Sequence, residues 1–191
     1  RIIVNLLKDI LYKVAIEAVN GSTEIPVNKI EFDSRKIQEN DVFVAIRGTV
    51  SDGHDFIEKA INLGATTIVC DTFPTIIVTG ITYVKVKDTN AALAFMATNF
   101  YDNPSAKLKL VWITGTHGKT TVASLLYLLF KKAGYNVGLL STVKIMVDYV
   151  EHKATHTTPD SLTINYYLNQ MMEAGCDYCF MEVSSHGVHQ K

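Results

Sequence analysis

Thr114-Gly115-Thr116-His117-Gly118-Lys119-Thr120-Thr121 lies between an apolar run, Leu110-Val111-Trp112-Ile113, and a long segment with apolar residues at Val122, Leu125, Leu126, Leu129 and Phe130. A strand that enters a glycine-containing turn and leaves it as a helix can gather backbone N–H groups and a helix N-terminus around a phosphate. Glycine lets the backbone close in without a Cβ in the way, and the helix end adds partial positive charge. On this reading Gly115, Thr116, His117, Gly118, Lys119, Thr120 and Thr121 form a nucleotide-phosphate loop. Lys119 reaches the β- and γ-phosphates, Thr120 offers its hydroxyl to a phosphate-bound Mg²⁺, and His117 fills the loop tip. The usual pattern of glycine, four residues and Gly-Lys-Ser/Thr is not met in full, because Ile113 stands where its first glycine would be.

Outward from the loop, strands and helices alternate. On the C-terminal side the pattern predicts a helix ending near Gly134, strands over 137–140 and 178–183, and a helix over 161–174 between them. On the N-terminal side it predicts a helix over 6–14, strands over 29–32 and 41–46, and a helix opening at Asp52-Gly53 and ending at Gly64. Strands over 66–70 and 83–86 and a helix over 89–101, capped by Asp88 or Thr89, follow. This is an α/β chain with wound layers. Asp102-Asn103-Pro104-Ser105 is a turn-rich break, which gives two expected domains, 1–104 and 105–191.

Composition sets limits on what this scaffold does. With 48% hydrophobic residues among 191, there is ample apolar surface for packed cores. Eighteen basic against nineteen acidic side chains leave no charge excess to hold nucleic acid or an anionic membrane, so phosphate must be bound locally. No run approaches the roughly 20 apolar residues of a membrane span, and no signal-peptide core opens the chain, so a cytoplasmic protein is expected. Cys70, Cys176 and Cys179 are too few for a disulfide framework, and Cys176-Asp177-Tyr178-Cys179 is half a zinc site with no second pair. Buried thiols are the expected reading.

The loop shape Thr-Gly-Thr-x-Gly-Lys-Thr resembles that of the Mur ligases, which lack the first glycine in the same way. Three further stretches carry the resemblance: Phe32-Asp33-Ser34-Arg35 with Asp41-Val42-Phe43-Val44-Ala45-Ile46-Arg47-Gly48, then His156-Thr157-Thr158-Pro159-Asp160, then Met181-Glu182-Val183-Ser184-Ser185-His186. It covers nearly the whole chain. It implies a small N-terminal α/β domain for a UDP-linked muramoyl substrate, followed by part of a P-loop-type parallel α/β ATPase domain. The implied activity is an ATP- and Mg²⁺-dependent ligase of peptidoglycan precursor synthesis. Such an enzyme phosphorylates a carboxylate, and an amino acid's amine then attacks the acyl phosphate.

By the same resemblance Ser34 contacts the uridine nucleotide, and His156, Thr157 and Thr158 contact the sugar and peptide, with His156 where the family often has asparagine. Ser184 and Gln190 match substrate-contacting positions. Lys119 and Glu182 are the implied catalytic residues, and Thr120 and Glu182 the implied Mg²⁺ ligands. His186 and His189, three apart, are not carried over as ligands. The branch most resembled adds the third peptide residue, diaminopimelate or lysine, to a UDP-muramoyl dipeptide, and a monomer is expected. Two alternatives stand beside it: the alanine-adding branch, of which Gly-Thr-His-Gly-Lys-Thr is typical, and a non-catalytic nucleotide-binding module. The chain is expected to be the front of a longer enzyme and to form no product alone.

Overall fold

The computed structural model describes residues 5–155 and 159–184. The chain divides between Phe100 and Tyr101 into two compact units, just ahead of the Asp102-Asn103-Pro104-Ser105 turn.

In the first unit, α1 (Leu7–Ile10) and β1 (Ile16–Asn20) precede β2 (Ile30–Glu31), β3 (Val42–Val44), α2 (Ile57–Asn62), β4 (Thr67–Cys70), β5 (Thr82–Val86) and α3 (Thr89–Phe100). The sheet order is β1-β5-β4-β3-β2. It is parallel from β2 to β5, with β1 antiparallel on the edge of β5. Strand alternation sorts the core: Phe43, Ala45, Ile68, Cys70 and Tyr83 pack with Ile57 and Ala60 of α2, while Val42, Val44, Val69 and Val84, also buried, face the other way.

Three expectations are corrected in this unit. The first helix covers Leu7–Ile10 rather than 6–14, because the chain turns at Lys13, whose φ is +66°. The segment opened by Asp52 begins as a 3-10 turn, Gly53–Phe56, before α2. Strand β1 was not expected at all. Asp88, not Thr89, caps α3, accepting from the N–H groups of Asn90 at 2.9 Å and Ala91 at 3.2 Å.

A polar knot ties the ends of β3 and β4. Arg47 donates from Nε and Nη2 to the two oxygens of Asp71, both at 2.8 Å, and from Nη1 to Asp52 at 2.6 Å. The N–H of Asp71 donates to Nε2 of His54, whose Nδ1 meets Asp52 at 2.7 Å. The Arg47 hydrogen bonds hold the Asp71 carboxyl down from 3.8 to about 2. A depressed carboxylate contributes stability that is complete above its unfolded value and lost as pH falls through its folded one. Asp71→Asn is therefore expected to lower the urea midpoint at neutral pH and to flatten its decline between pH 3.8 and about 2. An unchanged slope in that window would remove the knot from the acid response.

In the second unit, β6 (Lys109–Ile113), α4 (Lys119–Lys132), β7 (Val137–Leu140), β8 (Lys144–Val147), β9 (Val150–Lys153), α5 (Ser161–Glu173) and β10 (Tyr178–Glu182) form a sheet ordered β6-β10-β7-β8-β9. β6, β10 and β7 are parallel, as a P-loop scaffold requires, but β8 and β9 extend the sheet as an antiparallel hairpin. Each sheet face meets a helix. Ala123 and Tyr127 of α4 pack with Val137, Leu139 and Phe180. Leu168 and Met171 of α5 pack with Leu140, Cys179 and Met181.

The apolar pattern of α4 resolves differently from the expected stripe: Leu126 and Phe130 face the sheet beside Ala123 and Tyr127, whereas Val122, Leu125 and Leu129 are exposed. All three cysteines are buried, as expected. Among the described residues no helix is long and apolar enough to cross a membrane, and no group of three or more His, Cys, Asp or Glu gathers as a metal cage.

Candidate active site

The loop expected to hold phosphate leaves the buried end of β6 at Ile113 and enters α4 at Lys119. Gly115 and Gly118 have φ of +144° and +77°, conformations that L side chains rarely adopt, so glycine at both positions sets the course of the loop. Gly118 is the N-cap residue of α4, and no side chain caps this end; at α5 the same place is filled by Asp160, which accepts from the N–H of Thr163. The N-terminal N–H groups of α4 are thus left for a ligand, with the helix dipole behind them. Thr116, His117 and Gly118 are exposed at the tip, as is Thr121 beyond it. Lys119 folds back over the loop and donates from Nζ to the carbonyl of Gly115 at 2.8 Å.

Glu182 ends β10, the strand between β6 and β7, in register with Ile113. That position carries its side chain to the start of α4 at the C-terminal ends of the parallel strands, where open α/β sheets bind ligands. Oε2 of Glu182 accepts from the Thr120 hydroxyl at 2.7 Å, across 62 positions of sequence. It also accepts from the N–H of Thr142 at 3.1 Å and its hydroxyl at 3.2 Å. Thr142 was not singled out from the sequence. The Thr120 and Glu182 pair offers oxygen donors only, one of them anionic, and suits Mg²⁺, which takes one or two protein oxygens and completes its shell with phosphate and water.

In the first unit Ser34 is buried within a 3-10 turn, Ser34–Lys36. The turn is capped by Asp33, which accepts from the N–H of Arg35 at 3.0 Å and from its guanidinium at 3.0 and 2.9 Å. These residues line a groove of about 510 Å³ together with Phe32, Phe56 and Lys59. Ser184 is half-buried just past β10, next to Val183, whose N–H donates to the carbonyl of Ile113. His156, Thr157, Thr158, His186, His189 and Gln190 lie outside the described residues.

Residues 113–191 match the model of the Mur ligase middle domain, and residues 26–101 match a model described as Mur ligase family, catalytic domain. The chain belongs to the Mur ligase family. The Mur ligase relatives include a UDP-N-acetylmuramoyl-L-alanyl-D-glutamate--2,6-diaminopimelate ligase of Cytophaga hutchinsonii, 51% identical over 97% of this chain and 38% of that protein. Proteins of the same name from Phocaeicola vulgatus, at 45%, and Clostridium tetani, at 44%, are covered to the same 38%. The chain spans well under half the length of the curated relatives it matches. A solved ligase of that name superposes over 98% of this chain and 37% of its own, with a TM-score of 0.76 at 22% identity. A MurF ligase from Thermotoga maritima in complex with ADP matches over 82% of this chain and 32% of its own, with a TM-score of 0.55 at 24% identity. These two matches concern the Mur ligase fold.

Proposed function

We propose that this chain is the front portion of an ATP-dependent Mur ligase that adds 2,6-diaminopimelate to UDP-N-acetylmuramoyl-L-alanyl-D-glutamate. The observation that carries the chemical part is the Thr120–Glu182 contact beside an uncapped, glycine-shaped helix N-terminus. It joins a phosphate cradle to the carboxylate that an ATP-bound cation needs. The choice of substrate rests on the relatives' names and on identity that extends through both units.

In this reading the loop N–H groups from Gly115 to Thr121 hold the β- and γ-phosphates of ATP, and Lys119 turns from the Gly115 carbonyl to the γ-phosphate. Thr120 and Glu182 hold Mg²⁺, which supplies positive charge to the phosphate oxygens. With the γ-phosphate so oriented, a substrate carboxylate oxygen attacks phosphorus, ADP leaves, and the resulting acyl phosphate is open to an amine. Lys119 offsets charge at the transferring group, where a positioned cation is worth most. Ser34 and its groove receive the uridine nucleotide, with Lys59 adding positive charge beside the paired Asp33 and Arg35. Ser184, with His156, Thr157, Thr158 and Gln190, serves the muramoyl-peptide end.

The test is phosphate release from ATP by the full-length natural protein. Release with UDP-muramoyl-alanyl-glutamate plus diaminopimelate, and little with lysine, is expected. Release only with UDP-muramate plus alanine would replace this reading with the first-residue ligase. No release with any pair, from folded protein that still binds ATP, would leave a nucleotide-binding module.

A further inference from the structure

We propose that Thr142 is a positioning residue that orients Glu182 for the cation of the nucleotide site. Glu182 takes three hydrogen bonds on one oxygen, Oε2, and two of them come from Thr142. Among the described residues no protein group donates to its other oxygen, Oε1. Two donors from one residue on the same oxygen fix the plane of the carboxylate. A side chain at a strand end would otherwise rotate about its terminal bond, and ordering it would be a cost of cation binding.

The turn that carries Thr142 is itself fixed. Ser141, buried between β7 and β8, donates from its hydroxyl to the carbonyl of Lys144 at 2.8 Å and accepts from the N–H groups of Val143 at 3.3 Å and Lys144 at 3.0 Å. Its own N–H donates to the Lys144 carbonyl at 3.2 Å. The two anchors of Glu182 differ in kind. Thr120 belongs to the phosphate loop and must offer its oxygen to the cation, whereas Thr142 lies outside the loop and only donates. When the Thr120 oxygen is engaged, Thr142 still holds the carboxylate. It follows that Thr142 governs cation affinity and leaves the affinity for cation-free nucleotide alone.

This inference rests on the nucleotide-site reading above, and the experiment separates the two. Manganese, a spectroscopic substitute for Mg²⁺, is titrated into the full-length protein saturated with ADP and followed by electron paramagnetic resonance, while ADP affinity in EDTA and the thermal midpoint are measured in parallel. Thr142→Val keeps the shape and removes the hydroxyl donor, Thr142→Ser keeps the donor, and Thr142→Ala is a second deletion should valine disturb the turn. Losing an outer partner of a cation-holding residue lowers affinity by about 10-fold or more. The valine and alanine variants are therefore expected to raise half-saturating Mn²⁺ by about that factor, with serine near the parent protein and EDTA-state ADP affinity unchanged. Parental Mn²⁺ binding in the valine and alanine variants, with weakened binding in Glu182→Gln, overturns the role of Thr142 and leaves the site standing. Parental Mn²⁺ binding in Glu182→Gln overturns both.

Discussion

In the full-length protein, Lys119→Ala is expected to lower ATP turnover by about 100- to 1,000-fold, the loss found when a single preorganised donor to a transition-state charge is removed. The ammonium of Lys119 reaches back to the Gly115 carbonyl at 2.8 Å and forms no salt bridge among the described residues, so its charge is held over the loop without a competing carboxylate. A carbonyl is a neutral partner, readily exchanged for a phosphate oxygen of higher charge. Lys119→Arg is expected to recover little, because a planar guanidinium cannot occupy the place of a compact ammonium inside a tight loop. Phosphate release at saturating substrates measures both. Turnover by Lys119→Ala within about threefold of the parent would take this residue out of phosphoryl transfer.

The largest expected loss of stability lies in the other unit, at Asp41. Its side chain is fully buried and takes hydrogen bonds from Asn28 Nδ2 at 2.8 Å, Lys29 Nζ at 2.6 Å and the N–H of Gln38 at 2.7 Å. Asn28 and Lys29 stand just ahead of β2 and Gln38 lies in the connection between β2 and β3, which also carries the Ser34–Lys36 turn. Asp41→Ala removes the acceptor of three part-buried hydrogen bonds and the nearer carboxylate of the partly buried Lys29 ammonium, leaving it Glu31 at 3.8 Å, at a cost of about 3 kcal/mol. Asp41→Asn is expected to do nearly as badly, since its amide presents donors to at least one of the three donors now converging there. Urea unfolding measures both, and an unchanged midpoint for Asp41→Ala would mean that the connection is held by other contacts. Because the turn bearing Ser34 rides on this connection, weaker binding of the UDP substrate should accompany the lost stability.

Features carried by contiguous residues were legible in the sequence, and features assembled from distant ones were not. The strand, glycine turn and helix around Lys119 could be read because glycines, lysine and the following helix stand together from Gly115 onward. Glu182 was expected at a strand end on the edge of the sheet that carries the loop, but it was singled out by the resemblance of Met181-Glu182-Val183-Ser184-Ser185-His186, since an acid at a strand end is common. Thr142 could not, since its link to Glu182 spans 40 positions and serine or threonine in a turn is common. Strand β1 went unread because it is an edge strand with four of five residues exposed, so no apolar alternation marks it. The β8–β9 hairpin turns through Asp148 at φ +53°, without the glycine that signals such a turn. Helix α4 is apolar nearly all round, so periodicity could not choose its inner face; packing on the sheet selected Ala123 and Tyr127.

The placement of the thiols gives the molecule a native way to report its own opening. Cys70 ends β4 in the first unit, and in the second Cys179 lies in β10 with Cys176 buried in the turn ahead of it. Burial pushes the Cys70 thiol up to about 11 and raises the other two as well, which suppresses the reactive thiolate while the chain is folded. An alkylating reagent therefore waits on local unfolding, and the order in which these positions acquire mass separates the lifetime of one unit from that of the other without any label being introduced.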